Sequence, residues 1–302
     1  MSIASPIIPK DFHRAIIEVH GKSGLEWLKR LPGLIAECEK RWSLTIGSPF
    51  ANLYYNYVAP AVNEDGRRLV LKAGVPTRNF RNEMEALRLY NGNGAVRMFE
   101  ADPELGVMLL ERLEPGKALA ELTDDVQSAS IAASVMRQIW QAAPVDHSFP
   151  SVSEWSLGLA RIRQQFGGKT GPFPIALFER AESLFAELIA APIENTLLHG
   201  DLHQSNILSA ERQSWLVIDP KGVVGERGYE IGPFLLNIAD QTQEVLAYLL
   251  AMLTDELGLD RKRVQEWCIA QAMLSACWTV EDHGYGWEKT VEYTERIAAI
   301  KL

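Results

Sequence analysis

The hydrophobic pattern of this chain changes once, near Gly116, and the change limits the folds open to it. Before that point, aromatic and β-branched runs alternate with turn signals, as in "ANLYYNYVAPAV", "NEDG" and "RRLVLKAG", which is typical of β-strands. After it, apolar residues recur at helical spacing. The helical segments are 129–143, 154–165, 174–190, 242–256, 261–281 and 287–300. The pattern predicts an α+β chain with a small β-rich lobe and a larger, mostly α-helical lobe.

The small lobe is predicted to contain two strand pairs and one internal helix. The second strand of the first hairpin is expected at Arg68–Ala73, and "AVRMFEAD" and "GVMLLERL" form the other pair before the break "EPG". Between the pairs, a helix is expected from about Asn79 to Tyr90, stopped by Gly–Asn–Gly. A helical extension, residues 1–44, has apolar residues at helix-like spacing: Phe12, Ile16, Val19, Leu25, Leu28 and Leu34.

The predicted boundary between the lobes follows Leu113, so the lobes are residues 1–113 and 114–302. In the larger lobe, "NILSA" and "SWLVIDPKG" are the only β-like runs expected. A chain of 302 residues exceeds the usual size of a single hydrophobic core, which also favours two lobes.

Composition excludes several classes of protein. The formal net charge of −9 disfavours nucleic acid as a partner and favours a cationic small molecule, unless the charge serves only solubility. The apolar runs are shorter than the ~20 residues of a membrane span, so no membrane partner is expected. Three scattered cysteines build no disulfide framework, and the N-terminus lacks a secretory pattern. A cytoplasmic protein with reduced, buried thiols is expected.

The segment "LLHGDLHQSNIL", residues 197–208, has three possible interpretations. A metallohydrolase would use the Asp and His of "GDLH", but the other histidines stand in no Gly–Asn–His or His–x–His setting. A structural turn would use the same polar residues only to satisfy backbone groups. Phosphoryl transfer would use two residues of this segment and one of "VIDPKG". Asp201 would accept the proton, and Asn206 and Asp219 would be oxygen ligands of Mg²⁺.

The segments "HGDLHQSNIL" and "VIDPKG" together resemble the Brenner-type motif of aminoglycoside phosphotransferases and related small-molecule kinases. The segments "IDPKGVVGERGYEIG", "GAVRMFEAD" and "GVMLLERLEPG" look most like the streptomycin 6-phosphotransferase and hydroxyurea kinase branch. The resemblance covers roughly Gly47 to Trp287. It implies a protein-kinase-like two-lobed fold, ATP and Mg²⁺ as the nucleotide and metal, and transfer of the γ-phosphate to a hydroxyl of a small acceptor. It also implies a bracing role for His199.

A kinase requires a strand lysine for the nucleotide phosphates and a helix carboxylate that holds it. Lys72 ends the apolar strand "RLVLKAG". At ~100° per residue, Glu83 lies at the edge of the face formed by Phe80, Met84 and Leu87, whereas Glu85 points away from it. Glu83 is therefore the predicted partner of Lys72, and Glu85 is expected in solvent.

Other nucleotide contacts follow from the resemblance alone. The adenine is expected at the backbone of Glu111 to Leu113. The phosphate loop departs from GxGxxG, because "IGSPFANLYY" contains Gly47 and Ser48 but no second glycine. Ser48 or nearby N–H groups are the candidate phosphate contacts, and the choice between ATP and GTP stays open.

The acceptor site is predicted from acidic and aromatic residues beyond the metal ligands. Glu281 and Asp282 lie at a helix C-terminus, where the helix dipole disfavours them and a cationic acceptor would stabilise them. Trp278 or Trp287 would add a cation–π surface. The further candidates are His203, Lys221, Glu226, Glu230 and Asp240, with Lys221 opposing a cation and suited to phosphate. The alternatives are ordinary solvated acids at these positions, a kinase-fold binding protein without activity, or a metal-dependent phosphohydrolase. The sequence leaves monomer and dimer open.

Overall fold

The structure, a computed structural model, describes residues 9–51 and 53–302. The expectation of no secretory signal rests largely on residues 1–8, which lie outside the described residues. The chain forms two compact units, Met1–Gly116 and Lys117–Leu302, and the predicted boundary lies three residues earlier. The nucleotide-binding and catalytic roles of the two predicted lobes stay predictions. None of the helices in the described ranges is long and apolar enough to cross a membrane.

The first unit is built on a five-stranded antiparallel sheet with the order β1-β2-β3-β5-β4. Its elements are α1 (Lys10–Trp42), β1 (Leu44–Ile46), β2 (Tyr57–Asn63), β3 (Arg68–Ala73), α2 (Arg78–Tyr90), β4 (Met98–Asp102) and β5 (Val107–Glu111). The strand β3 begins and ends at the predicted residues, and α2 begins one residue before the predicted helix. Thr77 caps α2 by accepting a hydrogen bond from the Phe80 N–H at 3.2 Å.

The two faces of this sheet have different surroundings. Alternate residues, including Tyr57, Leu71 and Val107, are buried in a core that they share with Leu28 and Leu31 of α1. Each such side chain stabilises the unit by about 1.5–3 kcal/mol through burial. The opposite face carries Lys72. The core therefore fixes which way Lys72 points, because adjacent residues on a strand face opposite sides.

The N-terminal extension differs from the single helix that periodicity predicts. Its backbone breaks at Gly21, with φ 55° and ψ −128°, and this break changes the face buried on either side of it. Val19 and Leu25, both predicted to be apolar-face residues, are consequently exposed, whereas Trp27 and Phe12 are buried in edge-to-face contact.

The second unit is mainly helical, as predicted. After β6 (Pro115–Ala118), where the chain passes from the first unit to the second, its helices are α3 (Asp125–Ile139), α4 (Val152–Gln165), α5 (Ile175–Ala190), α6 (Arg227–Leu236), α7 (Gln243–Leu257), α8 (Arg261–Asp282) and α9 (Glu288–Ala298). The helix α6 is absent from the helical segments that the sequence predicts. Its sequence "RGYEIGPFLL" contains two glycines and a proline, and burial of eight of its residues overrides that weak propensity.

The expectation of only two β-like runs in this unit is wrong. Short strands form two three-stranded sheets, with orders β11-β8-β7 and β10-β9-β6. The strands are β7 (Gln141–Ala142), β8 (Thr196–Leu198), β9 (Ile207–Ala210), β10 (Trp215–Val217) and β11 (Val223–Gly225). Strands of two to four residues give too short a pattern to detect, and pairing with distant segments stabilises them. The three cysteines are free and buried.

Candidate active site

In the first unit, Lys72 and Glu83 form a buried ion pair. The Lys72 Nζ lies 2.5 Å from the Glu83 Oε1, and the two side chains are 3% and 9% exposed. Glu85 is half-buried and pairs with Arg88 on the same helix. The helical-face argument for Glu83 over Glu85 is therefore confirmed. The role of the pair in nucleotide binding stays a prediction.

The sheet face around Lys72 is apolar, and the sequence analysis did not identify it. Val58 and Met108 lie directly across from Lys72 on β2 and β5, and Val70 and Pro60 lie opposite each other two residues along. Val58, Pro60 and Val70 are only half-buried. The period-two alternation of β2 and β3 contains this signal, because residues that are directly opposite share a face.

The remaining predicted nucleotide contacts lie along this sheet. Ser48 is exposed, in a segment whose Gly47 N–H donates to the Pro60 carbonyl at 2.8 Å. The Glu111 N–H donates to the Arg97 carbonyl at 2.8 Å, so this group is already engaged within the protein. The Leu113 side chain is buried. A nucleotide contact to the Glu111 N–H would therefore have to replace this hydrogen bond.

In the second unit, Asp201 lies on a loop that follows β8. Its carboxylate is 38% exposed and has a nitrogen near each oxygen. The Lys221 Nζ lies 3.5 Å from Oδ2, and the His203 Nε2 lies 4.0 Å from Oδ1. The His203 Nδ1 accepts from the Ser205 N–H, which places the ring proton on Nε2 in the neutral form. Burial lowers the pKa of His203, which favours that neutral form.

His199 braces this loop from inside. Its ring is fully buried, and its Nδ1 accepts from the Asp201 N–H at 3.2 Å while its Nε2 bonds the Ile218 carbonyl at 2.8 Å. Burial lowers its pKa to about 4, so the ring is neutral and Nε2 carries the proton. The ring therefore links the backbone of Asp201 to the residue before Asp219.

Glu230, on α6, holds the same loop through the backbone N–H groups that precede Asp201. Its Oε2 accepts from the His199 N–H at 2.6 Å and its Oε1 from the Gly200 N–H at 2.9 Å. Burial raises its pKa to about 7 against the effect of these two hydrogen bonds. The sequence predicts that Glu230 contacts the acceptor. The structure buries it completely, so it positions the loop instead.

Asn206 and Asp219 are the two residues that the sequence predicts as ligands of Mg²⁺. The Asn206 Nδ2 donates to the Asp201 carbonyl at 2.9 Å, which leaves its Oδ1 as the atom suited to a cation. Asp219 is half-buried and has φ 60°, a left-handed conformation that is unfavourable for aspartate. One carboxylate and one amide oxygen fit Mg²⁺, which takes few protein ligands when phosphates complete its shell. No cluster of three or more His, Cys, Asp or Glu suited to a metal occurs within residues 9–51 and 53–302.

The acidic residues proposed for a cationic acceptor have protein partners. Arg161 donates from Nε and Nη2 to the two carboxylate oxygens of Glu281, at 2.7 and 3.0 Å. Glu226 is buried and accepts from Arg263 and Trp267. Arg161, rather than a bound acceptor, thus offsets the charge of Glu281. Asp282 and Asp240 are exposed.

Sequence reasoning missed Trp155, which lies against the loop that carries Asp201. Gly200 has φ 84°, and a Cβ at that position would lie only 2.8 Å from the Trp155 Cη2. Trp155 also makes an edge-to-face contact with Trp278, the ring centroids being 5.4 Å apart. A tryptophan on a predicted helix gives no sign of this contact, because Trp155 and Gly200 are distant in the sequence.

Comparisons with known proteins show the family to which the chain belongs. The family model described as aminoglycoside/hydroxyurea antibiotic resistance kinase matches residues 41–283. Streptomycin 6-kinase of Streptomyces glaucescens is 30% identical over 91% of this chain and 91% of its own length. Hydroxyurea phosphotransferase of Kitasatospora aureofaciens is 33% identical over 91% of this chain and 81% of its own length.

Solved structures show the fold. Choline kinase LicA from Streptococcus pneumoniae has a TM-score of 0.63 at 15% identity, covering 91% of this chain and 99% of its own. A thermostable mutant of aminoglycoside phosphotransferase APH(4)-Ia, in ternary complex with ADP and hygromycin B, has a TM-score of 0.60 at 13% identity, covering 87% of this chain and 96% of its own. The kinase-like fold predicted from the sequence is confirmed. The chain belongs to the aminoglycoside/hydroxyurea antibiotic resistance kinase family and is a phosphotransferase.

Proposed function

We propose that this protein transfers the γ-phosphoryl group of ATP to a hydroxyl group of an aminoglycoside-like small molecule. The acceptor oxygen forms a bond to the γ-phosphorus, and the bond from that phosphorus to the β,γ-bridging oxygen breaks, releasing ADP. The hydroxyl proton passes to the Asp201 carboxylate. The observation that carries the proposal is the bracing of the Asp201 loop by His199 and Glu230, in a family of kinases.

The geometry around Asp201 supports its role as the proton acceptor. The carboxylate is partly exposed, so an acceptor hydroxyl has access to it. Its backbone is fixed through the Asp201 N–H and its carbonyl, which bond His199 and Asn206. A base on a fixed backbone keeps the reacting atoms in a productive orientation. Lys221 and His203 supply donors beside the same carboxylate for the negatively charged phosphoryl group.

The nucleotide and the metal have candidate binding residues. Lys72, oriented by Glu83, is suited to the α- and β-phosphates, and the half-buried Val58 and Val70 on the same face are suited to the adenine. Asn206 and Asp219 would hold Mg²⁺, which supplies positive charge that neutralises phosphate oxygens. Relatives named for streptomycin and for hydroxyurea make these two compounds the first acceptors to test.

The test is ADP release by the purified protein with ATP, Mg²⁺ and either streptomycin or hydroxyurea, with mass spectrometry of the acceptor. We expect an acceptor that gains one phosphate. Asp201→Asn should lower turnover by about 10²-fold or more, the scale of a general base, and keep nucleotide binding. Asp255→Asn, an exposed aspartate paired with Arg261, is the control and should be neutral. Turnover of Asp201→Asn near that of the wild type would exclude Asp201 as the base.

A further inference from the structure

Two tryptophans form an aromatic pair beside the catalytic loop, on two helices of the second unit. Trp155 lies in the first turn of α4 and Trp278 near the end of α8. Their rings are nearly perpendicular, at 87° with centroids 5.4 Å apart, and both side chains are only half-buried. By comparison, the core tryptophan Trp267 is 2% exposed.

The pair is next to the base. The close approach of Trp155 to Gly200, the residue directly before Asp201, requires a glycine there. The Lys221 Cβ lies 3.4 Å from the position that a Cβ would take at Gly200, so Trp155 and Lys221 converge on this residue. Trp155 therefore packs against the backbone residue that directly precedes Asp201.

The pair is held rigidly. Trp155 contacts the fully buried Tyr229, with ring centroids 6.1 Å apart. The helices α4 and α8 approach closely at Gly158, where a Cβ would lie 2.5 Å from the Leu274 Cδ1 and 3.4 Å from the Trp278 Nε1. A rigid aromatic surface binds a ring at low entropic cost, because its side chains have little freedom left to lose.

Polar groups border the aromatic pair. Arg161, about 1.7 turns after Trp155 on α4, binds Glu281, which lies less than one turn after Trp278 on α8. Within the described part of the chain, no hydrogen bond from the Trp278 indole N–H to a protein acceptor is found. The border thus combines two indole rings with a paired arginine and glutamate, a mixed apolar and polar surface suited to a polyhydroxylated ring.

We propose that Trp155 and Trp278 form the wall of the acceptor site, and that the ring of an aminocyclitol acceptor stacks on Trp155 while its hydroxyl reaches Asp201. This inference rests on the proposed function and adds the residues that select the acceptor. It requires an acceptor with a ring. Hydroxyurea, a small acyclic molecule, has no ring that could stack on Trp155.

The experiment measures kcat and the KM for streptomycin and for ATP in Trp155→Ala, Trp155→Phe and Trp278→Phe. Trp155→Ala should raise the KM for streptomycin by about tenfold and leave the KM for ATP unchanged, whereas Trp155→Phe, which keeps a ring, should have a smaller effect. Trp215→Phe is the control, a half-buried tryptophan on β10. Thermal unfolding of each variant shows whether it folds. If Trp155→Ala does not fold, the KM values of Trp155→Phe provide the test.

The outcomes separate the two proposals. If the wild type phosphorylates neither streptomycin nor hydroxyurea, the proposed function fails and this inference fails with it. If the wild type phosphorylates streptomycin and Trp155→Ala lowers only kcat, the tryptophan merely supports the Asp201 loop, and the inference alone is overturned. Phosphorylation of hydroxyurea without streptomycin also overturns it, because no ring is then required.

Discussion

Gly200 shows how one residue combines a backbone requirement with a packing requirement. Its φ of 84° is in the region that favours glycine, and its Cα faces Trp155 and Val223 with no room for a side chain. Its N–H also donates to Glu230. The residue therefore sets the position of the Asp201 backbone through three contacts.

We expect Gly200→Ala to lower turnover by at least tenfold, because a shift of about 1 Å in a catalytic group is enough for a large loss. Left-handed backbone costs alanine about 1–2 kcal/mol, and the contacts with Trp155 and Val223 add to that cost. Gly66→Ala is a matched control, with φ 79° and open space within 4 Å of where its Cβ would lie. It should reduce stability and keep kcat. Equal kcat values for the two variants would show that the contact with Trp155 has no catalytic consequence.

His199 and Glu230 have opposite effects on stability as pH changes. The pKa of Glu230 is raised to about 7 by burial, so its contribution is present at low pH and lost as pH rises through about 7. The pKa of His199 is lowered to about 4 by burial, so its contribution is present above its ordinary value of 6.5 and lost as pH falls toward 4. Where the two pH ranges overlap, the loss of stability with rising pH due to Glu230 nearly cancels the gain due to His199.

Glu230→Gln should remove the pH dependence of stability due to Glu230 and leave that due to His199. The free energy of unfolding of the variant should rise from about pH 4.5 to about pH 6.5, by up to ~1.4 kcal/mol per pH unit, while the wild type stays flatter. Chemical denaturation across this pH range measures the effect. Glu187→Gln, at an exposed position on α5, should follow the wild type. Parallel pH profiles for Glu230→Gln and the wild type would mean that Glu230 binds no proton on folding.

At the scale of elements, β3 and α2 act as a pair because each presents one charged residue inward. Lys72 leaves the sheet on the face opposite the core, and Glu83 leaves α2 at the edge of its apolar face. The resulting ion pair is almost fully buried, and burial makes each charge costly without the other.

Lys72→Met should therefore destabilise the protein by about 3–5 kcal/mol, since Glu83 loses its lysine in a buried setting. The double variant Lys72→Met with Glu83→Gln should recover much of this stability and none of the activity. The KM for ATP should rise more than the KM for the acceptor in both. Glu85→Gln, on the same helix and half-buried, should have little effect. The pairing argument would be contradicted by single and double variants of equal stability in urea, and the nucleotide assignment by an unchanged KM for ATP.

At the scale of the whole molecule, the net charge of −9 favours the approach of a cation. Glu281 and Asp282 at the end of α8 cannot by themselves attract a cation, because Arg161 pairs with Glu281. Any attraction for a cationic acceptor would come from the summed charge of the protein, and salt screens such long-range interactions beyond about 10 Å at 0.1 M.

The KM for streptomycin, a cation, should rise several-fold between about 0.05 M and about 0.5 M salt. If hydroxyurea is also turned over, its KM should stay nearly constant, because it carries no charge. Steady-state kinetics at a series of NaCl concentrations measures both, with potassium acetate as a check on specific ions. A KM for streptomycin that is independent of salt would show that net charge plays no part in binding.

The features that the sequence determined by itself are local. Alternation over six residues predicts β3, the period of α2 places Glu83 rather than Glu85 beside Lys72, and the spacing of Asp201, Asn206 and Asp219 identifies the motif. Each depends on residues within one or two neighbouring elements, where strand or helix geometry fixes the direction of a side chain.

Tertiary structure decided the features that depend on distant residues. Glu230 contacts the N–H groups of His199 and Gly200 across 31 and 30 residues, and Arg161 reaches Glu281 across 120. Trp155 and the short strand β8 likewise depend on neighbours far along the chain. No local pattern reports such contacts, because the burial that stabilises them arises only when separate segments pack together. That is why the sequence predicts Glu230 at the acceptor, whereas the fold makes it a buried support of the loop that carries Asp201.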